Sequence, residues 1–357
     1  MAKRLSKSGD RPIRVGIAGI GFMGWIHYLA YQKTPGVQLV AFATRDKKKR
    51  GGDWRGIQGN FGPPGKQIDV SALRCYAELD DLLADPEIDV VDNCLPPNLH
   101  HDVTIQALRA GKHVFVEKPM ALTTTECTSM LRASAKTNRQ ILVGHVLPFF
   151  PEYAHARQII ASGKYGKLLG GSFKRVISDP SWLKDFFDPH RVGGPLIDLH
   201  VHDAHFIRLL FGMPESVASV GRLRGDVVEY CQTAFQFADR RLVVSATSGV
   251  INQPGRGFTH GFEIHLEKAT LHFEFAAFAD KAELMPFKII DDQGKVLRPD
   301  LGDGDPVRAF EAEIAEMARS LRSKRPSDIL SGALASDAIL LCQRQAESVQ
   351  KRKPVRV

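Results

Sequence analysis

Three glycines at fixed spacing open the part of the sequence that could bind a nucleotide. Gly19, Gly21 and Gly24 form a G-x-G-x-x-G pattern between an apolar, β-branched run and a helical pattern. There the first glycine permits a tight turn, the second lets the backbone approach a pyrophosphate, and the third lets helix and strand pack closely. Backbone N–H groups at a helix N-terminus also attract anions. The loop, with Phe22 and Met23, is therefore predicted to bind a dinucleotide; a glycine turn without a ligand is the alternative.

The end of the next predicted strand bears on which dinucleotide binds. Dinucleotide-binding folds usually place an acid there to hold the ribose hydroxyls. This chain has Thr44 and Arg45 instead, with Asp46 one residue later. A hydroxyl, a guanidinium and the lysines that follow suit a 2′-phosphate. Alternatively, Arg45 stacks on adenine and Asp46 reaches the ribose. The cofactor is expected to be NADP or NAD, with NADP favoured.

A lysine follows another apolar run, within the segment 111–119. Open α/β sheets bind ligands beyond the carboxyl ends of their strands, and Lys118 is expected at such an end. Pro119 restricts the residue before it to an extended backbone, so the direction of the lysine amine is constrained. Glu117 is close enough in the chain to hydrogen-bond locally.

An aspartate and a histidine four residues apart form another candidate pair. On a helix, Asp198 and His202 share one face, and the carboxylate would favour the imidazolium and orient the ring. A base with a pKa near 7 suits proton removal from an alcohol as a hydride leaves its carbon. Alternatively, His202 is a core histidine in a helix–sheet contact.

The same segment offers a competing metal site. Asp198, His200, His202 and His205 could form a zinc or iron ligand cluster. On an α-helix, however, His200 lies about 200° around the axis from Asp198. Asp198, His202 and His205 would still converge as three ligands. We expect no metal and keep the three-ligand site as the alternative.

Five motifs together resemble the glucose–fructose oxidoreductase/inositol dehydrogenase/rhizopine catabolism (Gfo/Idh/MocA) family. They are the glycine loop, the segment 96–100 (Pro-Pro-Asn-Leu-His), the segment 110–113 (Ala-Gly-Lys-His), the Glu117-Lys118-Pro119 run, and the segment 193–203 with Asp198 and His202 at the D-x-x-x-H positions. The likeness extends from about Arg14 to the C-terminal helices. It implies NAD(P)-dependent hydride transfer with a secondary alcohol or ketone of a sugar, cyclitol or derivative.

The resemblance also implies roles for single residues. Lys118 would orient and polarise the reacting oxygen, and His202 would move its proton. The nicotinamide end of the cofactor would lie beside Asn98, His100 and Glu117, with Pro96 in the same loop. The family's second domain often makes oligomer contacts through an open sheet, so a homodimer or homotetramer is expected.

Two other functions are compatible with the same fold. One is a glycosidase that uses tightly held NAD for transient oxidation, and the other is a non-catalytic NAD(P)-binding regulator. A regulator needs no proton shuttle, so the combination of Lys118, Asp198 and His202 favours an enzyme. The substrate is expected to be a small polyol. Further substrate-binding candidates, chosen for polar or aromatic character, are His145, Tyr153 and Trp182.

The order of elements predicts an α/β chain with two sheets. In the first part, predicted strands alternate with helices, which indicates a doubly wound parallel sheet of the Rossmann type. The strands are expected at Ile13–Ala18, Val37–Ala43, Leu73–Tyr76, Ile88–Leu95, His113–Val116 and Ile141–Val146. A glycine-rich loop, Gly51–Gly65, interrupts them.

After Pro148, strands dominate with few helices between them, which indicates a large, mostly antiparallel open sheet. The strands are expected at Leu168–Ile177, Val227–Phe237, Leu242–Thr247, Phe262–Leu266 and Leu271–Phe275. Helices are expected at Leu196–Phe211, Phe310–Leu321 and Ile329–Gln350. The expected domains are 11–147 for dinucleotide binding and 148–305 for substrate and oligomer contacts, with 306–357 completing the fold.

Composition restricts the class of protein. The 357 residues are 43% hydrophobic and 25% charged, which is ordinary globular composition. No apolar run is long enough for a membrane helix, and the first ten residues lack the apolar core of a secretory signal. Five scattered cysteines argue against a disulfide framework. We expect a cytoplasmic protein without membrane contact.

Positive charge is concentrated near the N-terminus. The net charge is +8, and residues 1–75 hold 14 Lys and Arg against 4 Asp and Glu. No zinc knuckle, RNP-type aromatic motif or basic heptad accompanies this charge, so we expect no nucleic-acid partner. A phosphorylated small ligand is one explanation, and a solvated charged loop at Lys47–Arg50 is the other.

Overall fold

The computed structural model describes residues 11–181, 183–302 and 304–357. They form two compact units. The first comprises the chain up to Met120 together with Thr125–Phe149 and Asp305–Ala333, and the second comprises Ala121–Thr124, Phe150–Gly304 and Leu334–Val357. The chain enters the long segment of the second unit at Phe150, and the expected second domain begins at residue 148. The expected C-terminal segment is divided between the units.

The strands and helices account for most of the described residues. The strands are β1 (Ile13–Ala18), β2 (Val37–Ala43), β3 (Arg74–Tyr76), β4 (Val90–Asn93), β5 (His113–Glu117), β6 (Ile141–Gly144), β7 (Leu168–Ser178), β8 (Ser216–Arg224), β9 (Val227–Gln236), β10 (Val243–Ile251), β11 (Arg256–Leu266), β12 (Ala269–Phe278), β13 (Ala282–Asp291), β14 (Val296–Leu297) and β15 (Val355–Arg356). The helices are α1 (Phe22–Tyr31), α2 (Lys47–Arg50), α3 (Leu79–Ala84), α4 (His100–Arg109), α5 (Thr124–Thr137), α6 (Pro151–Ser162), α7 (Val201–Phe211), α8 (Val307–Ser323) and α9 (Gly332–Lys351). A π-helical turn, Leu196–His200, precedes α7.

The first unit contains a six-stranded sheet in the order β3-β2-β1-β4-β5-β6. Every neighbouring pair is parallel, which confirms the predicted doubly wound sheet. The order reverses at β1, so the chain leaves β1 at the crevice where such sheets bind ligands. All six predicted strands are present. Five of them are largely buried, as the near-continuous apolar runs of a parallel sheet require, whereas the short edge strand β3 is partly exposed.

The second unit contains a nine-stranded sheet in the order β14-β13-β12-β11-β7-β10-β9-β8-β15. Only β7 and β10 pair in parallel among its named strands, so the prediction of a mostly antiparallel sheet is confirmed. β8, β13 and the two-residue strands β14 and β15 are not among the strands expected from the sequence. The two long strands, β8 and β13, lack a clear local signal. Both have long exposed stretches, and β13 contains a proline, so neither shows a clear two-residue alternation of apolar residues.

The glycine-rich loop after α2 is held by one tryptophan. Trp54 is fully buried, and its ring packs edge-on against those of Trp25, Tyr28 and Phe42. The indole N–H of Trp25 donates to the carbonyl oxygen of Pro63 at 2.8 Å. The loop is thereby fixed against α1 and β2, which the sequence did not predict.

No helix in the described ranges has the length and apolar character needed to cross a membrane. The cytoplasmic location stays a prediction.

Removing the indole of Trp54 should destabilise the first unit. Trp54→Ala leaves a cavity among three aromatic rings, and we expect the free energy of unfolding to fall by about 3–5 kcal/mol. Urea denaturation measures the change. The matched control is Arg55→Ala, because Arg55 is exposed and pairs with Asp53 at the surface. An equal loss in both variants would contradict an anchoring role for Trp54.

Candidate active site

The glycine loop has the geometry that its sequence predicts. Gly19 has φ +98°, a left-handed conformation that favours glycine. A Cβ at Gly24 would lie 2.3 Å from the carbonyl oxygen of Gly19, so no side chain fits between α1 and the turn. A Cβ at Gly21 would meet no atom of the described residues within 4 Å, apart from its chain neighbours and its own helix. The backbone at the start of α1 is therefore open to an approaching anion.

The residues after β2 are engaged with their own helix and with the glycine loop. Asp46 caps α2, and one of its carboxylate oxygens accepts from the backbone N–H groups of Lys48 and Lys49 at 2.8 and 3.2 Å. Lys49 Nζ donates to the carbonyl oxygen of Ile20 at 2.6 Å. Arg45 is exposed. Asp46 thus has a structural task, and Arg45 is available to a ligand.

Lys118 lies directly after β5 and is half-buried. Its backbone N–H donates to Glu117 Oε2 at 3.0 Å, which confirms the expected local hydrogen bond. The Lys118–Pro119 peptide is cis. The carboxylate of Glu117 is 5% exposed, so the backbone at Lys118 is held by a buried acid.

His100 joins the loops that follow β4 and β5. Its Nδ1 lies 2.7 Å from the carbonyl oxygen of Pro119, and its Nε2 lies 2.7 Å from that of Leu95. The side chain is buried, and this burial lowers its pKa. Both ring nitrogens of His100 therefore contact backbone carbonyl oxygens. Asn98 and Pro96, in contrast, are exposed on the loop after β4.

A buried polar cluster that the sequence motifs did not predict lies beside the start of the Lys118 loop. His27 Nδ1 lies 2.8 Å from Asp92 Oδ2, and His27 Nε2 lies 2.9 Å from Glu117 Oε1. Tyr31 donates to the same Asp92 oxygen at 2.8 Å. The available signal was a histidine inside an apolar helix and an aspartate inside an apolar strand, since buried polar groups need partners.

The cluster changes the ionisation of its members. Burial is the largest single influence on the pKa of His27 and lowers it, but the charges of and hydrogen bonds to Asp92 and Cys94 together raise this pKa well above its ordinary value. Glu313 of α8 is fully buried nearby. Burial, and after it the charge of Glu117, raises the pKa of Glu313 well above its usual range. Both shifts favour the protonated form, which is the imidazolium of His27 and the neutral carboxyl of Glu313.

In the second unit, Asp198 and His202 lie on one continuous helical segment. Asp198 belongs to the π-helical turn and His202 to the first turn of α7. Both side chains are half-buried. The predicted helix is confirmed and ends at Gly212 as expected, but its first turn is π-helical, a form that recurs at functional sites.

The competing metal cluster is not assembled in the described chain. The one group of His, Cys, Asp and Glu side chains there whose ligand atoms lie within 4.8 Å of one another is His27, Asp92 and Cys94. His200 is buried, and burial lowers its pKa to about 4. Asp203, between the histidines, instead makes a buried ion pair with Arg175 at 2.8 Å.

The three substrate-binding candidates have different positions. His145 is fully buried after β6. Tyr153 is also fully buried, and its hydroxyl lies 3.1 Å from His260 Nδ1, among the rings of Phe206, Phe262 and Phe273. Tyr153 is thus a core residue of the second unit here. Trp182 lies outside the described residues.

Comparison with known families identifies both parts of the chain. Residues 13–145 match the family described as oxidoreductase family, NAD-binding Rossmann fold. Residues 153–272 match the GFO/IDH/MocA C-terminal domain. Together the two matches cover most of the sequence.

Individual proteins show the same relationship. An uncharacterized oxidoreductase of Rhizobium meliloti is 34% identical over 191 residues, which are 53% of each chain. The inositol 2-dehydrogenase/D-chiro-inositol 3-dehydrogenase of Lactiplantibacillus plantarum is 31% identical over 44% of this chain and 42% of that protein. The chain thus spans about half the length of the curated relatives it matches.

A solved structure matches almost the whole fold. Levoglucosan dehydrogenase, in complex with NADH and levoglucosan, superposes with a TM-score of 0.77 at 24% identity. The match covers 97% of this chain and 100% of that one. At this identity the likeness establishes the fold.

Glu313 allows a test of the buried cluster through stability. The folded protein binds this proton more tightly than the unfolded chain, so wild-type stability falls as pH rises above the ordinary carboxyl pKa, by at most about 1.4 kcal/mol per pH unit. Glutamine has the shape of the protonated acid and does not titrate. The melting temperature of Glu313→Gln, relative to wild type, should therefore rise from pH 5 to pH 8.

The control for this test is Glu347→Gln on α9. The pKa of Glu347 is lowered by hydrogen bonds from Lys351 and then Arg344, so its replacement should show no such rise. A flat difference for Glu313→Gln would mean that Glu313 is ionised in the folded protein.

Proposed function

Because the chain belongs to the GFO/IDH/MocA oxidoreductase family, we propose that it transfers a hydride between a nicotinamide cofactor and a secondary alcohol or ketone of a sugar, cyclitol or derivative. The observation that carries this proposal is the open glycine loop at the start of α1, at the switch point of the parallel sheet. The match to relatives with sugar and inositol dehydrogenase activities supports the substrate class.

The residues of this chain have distinct tasks in the proposal. The backbone of Gly19–Gly24 holds the pyrophosphate of the dinucleotide. Lys118 binds the reacting oxygen, where a positive charge stabilises the developing alkoxide. His202 moves the proton of that oxygen, and Asp198, one helical turn earlier, orients its ring. The bound nicotinamide supplies the hydride acceptor or donor.

We propose NADP as the favoured cofactor. Asp46 caps α2 with one carboxylate oxygen, which holds this side chain toward its own helix. Arg45 is exposed and can pair with a 2′-phosphate through two parallel hydrogen bonds. Lys47 and Lys48 are exposed beside it and add attraction at longer range.

We also propose self-association through the sheet of the second unit. Several large apolar side chains on its strands are exposed, including Val220 at 71%, Val243 at 75% and Leu284 at 59%. Exposed apolar surface of this kind favours burial against another subunit. The proposed partners are thus a small polyol and further copies of the chain, as a dimer or tetramer.

The proton shuttle and the oxygen-binding lysine can be tested by kinetics. His202→Ala should lower kcat by on the order of 10²–10⁴ while the Kd of the dinucleotide stays nearly unchanged.

Lys118→Met should lower both kcat and kcat/KM, because the lost interaction strengthens in the transition state. The assay follows cofactor absorbance over a panel of sugars, cyclitols and anhydrosugars with both cofactors.

Two controls keep these results interpretable. His265→Ala replaces a histidine of β11 that pairs with Glu263 and should retain wild-type turnover. Melting temperatures identify a variant that has lost its fold. Wild-type kinetics in a folded His202 or Lys118 variant would remove that residue from the mechanism, and glycoside cleavage without net change of cofactor absorbance would favour the glycosidase.

Cofactor choice has its own test. Wild-type protein should bind NADP with a lower Kd than NAD at low ionic strength, and the difference should narrow as salt screens the lysines. Thr44→Asp should reverse the order, because it adds a ribose acceptor and repels the 2′-phosphate. Fluorescence titration at two salt concentrations measures the Kd values of NADP and NAD for the wild type and for Thr44→Asp. Tighter NAD binding by the wild type would show that Arg45 does not select the phosphate.

A further inference from the structure

The two oxygens of Glu117 have separate partners. Oε2 accepts the backbone N–H of Lys118 at 3.0 Å, and Oε1 lies 2.9 Å from His27 Nε2. One carboxylate therefore connects the backbone of the proposed oxygen-binding lysine to a side chain of α1. Because the carboxylate is planar, fixing one oxygen also fixes the direction of the other.

The surroundings leave Glu117 little freedom to move. A Cβ at Gly144, its neighbour on β6, would lie 3.1 Å from Oε1, so the glycine leaves space for the carboxylate. The ring of His27 stacks on Phe115 with centroids 5.4 Å apart and an interplanar angle of 17°. His27 is fully buried and Glu117 is 5% exposed, so water does not compete for their hydrogen bond.

The other side of the imidazole is equally constrained. Asp92 Oδ2 lies 2.8 Å from His27 Nδ1 and accepts a hydrogen bond from the hydroxyl of Tyr31, also at 2.8 Å. The thiol of Cys94 lies 3.4 Å from Asp92 Oδ1. With a carboxylate on each ring nitrogen, both nitrogens donate, and the ring cannot rotate without breaking two charged hydrogen bonds.

We propose that His27 is a positioning residue for the reaction: its Nε2–H holds Glu117 so that Glu117 fixes the backbone of Lys118. This inference rests on the proposed function of Lys118. The active part of His27 is its hydrogen bond to Glu117, whereas its bond to Asp92 holds the ring in place. Misplacement of a reacting group by about 1 Å can cost on the order of 10²-fold in rate, so this positioning affects turnover.

Two amide variants separate the two hydrogen bonds. In His27→Gln the terminal amide reaches about as far as Nε2 and keeps a donor toward Glu117. In His27→Asn the shorter amide keeps a donor toward Asp92 and loses Glu117. Each variant removes the ring and leaves one carboxylate without the donor that the imidazole supplied, so the losses of melting temperature should be similar.

The direct measurement is hydrogen exchange at the amide of Lys118, which needs no substrate. We expect exchange at this amide about tenfold faster in His27→Asn than in wild type, and within about threefold of wild type in His27→Gln. Equal acceleration in both variants, or none in His27→Asn, would overturn the proposal.

Kinetics with the best substrate and cofactor of the panel give the second measurement. His27→Asn should lower kcat by about 10- to 100-fold, with a larger primary deuterium isotope effect and little change of KM, because the chemical step slows. His27→Gln should restore kcat to within about threefold of wild type. Equal kcat losses in the two variants, in proportion to their melting temperatures, would reduce His27 to a stability role.

The reference variant Lys118→Met distinguishes the two proposals. If it loses activity while folded His27→Asn keeps wild-type kcat, positioning by His27 is wrong and the role of Lys118 stands. If Lys118→Met keeps full activity, the proposed role of Lys118 is wrong and the inference about turnover is wrong with it.

Discussion

A charged imidazole enclosed between two carboxylates is the interaction on which the first unit depends. His27 connects α1 to Asp92 on β4 and Glu117 on β5, three elements that are far apart in sequence. Removing one member of a buried charged pair costs about 3–5 kcal/mol, because the remaining charge is left unpaired. The same contact explains why the loops after β1 and β5 are held relative to each other: α1 begins with the glycine loop and carries His27 in its second turn.

The close approach of α1 to the sheet makes that contact possible. Gly24 has no room for a Cβ, so α1 packs directly on the turn after β1, and His27 follows three residues later on the same helix. The third glycine of the loop therefore serves the geometry of Lys118 as well as the dinucleotide. On the outer side of α1, the buried ring of Trp54 and the long loop that carries it support the helix.

Each unit contains its own buried polar network. In the second unit, Arg175 and Asp203 form an ion pair with 5% and 1% of their side chains exposed. Tyr153 and His260 stack nearby with parallel rings. Buried polar groups of this kind must be partnered and therefore fix the elements that carry them. In the first unit this ordering acts on the loop of Lys118, and in the second it acts on α7, which carries His202.

The sequence by itself determined the two sheets, all six strands of the first unit and the glycine loop, and it supplied the hypothesis that Lys118, Asp198 and His202 act on the substrate. These features depend on local signals: runs of apolar residues, glycine at positions that exclude a side chain, and short motifs. Only the tertiary structure decided the partners of His27, the raised pKa of Glu313, the capping task of Asp46 and the burial of Tyr153. It also revealed β8 and β13, whose exposed residues hide their periodicity. The reason is physical: a buried polar side chain is specified by groups from distant segments, and no local pattern encodes which segments the fold brings together.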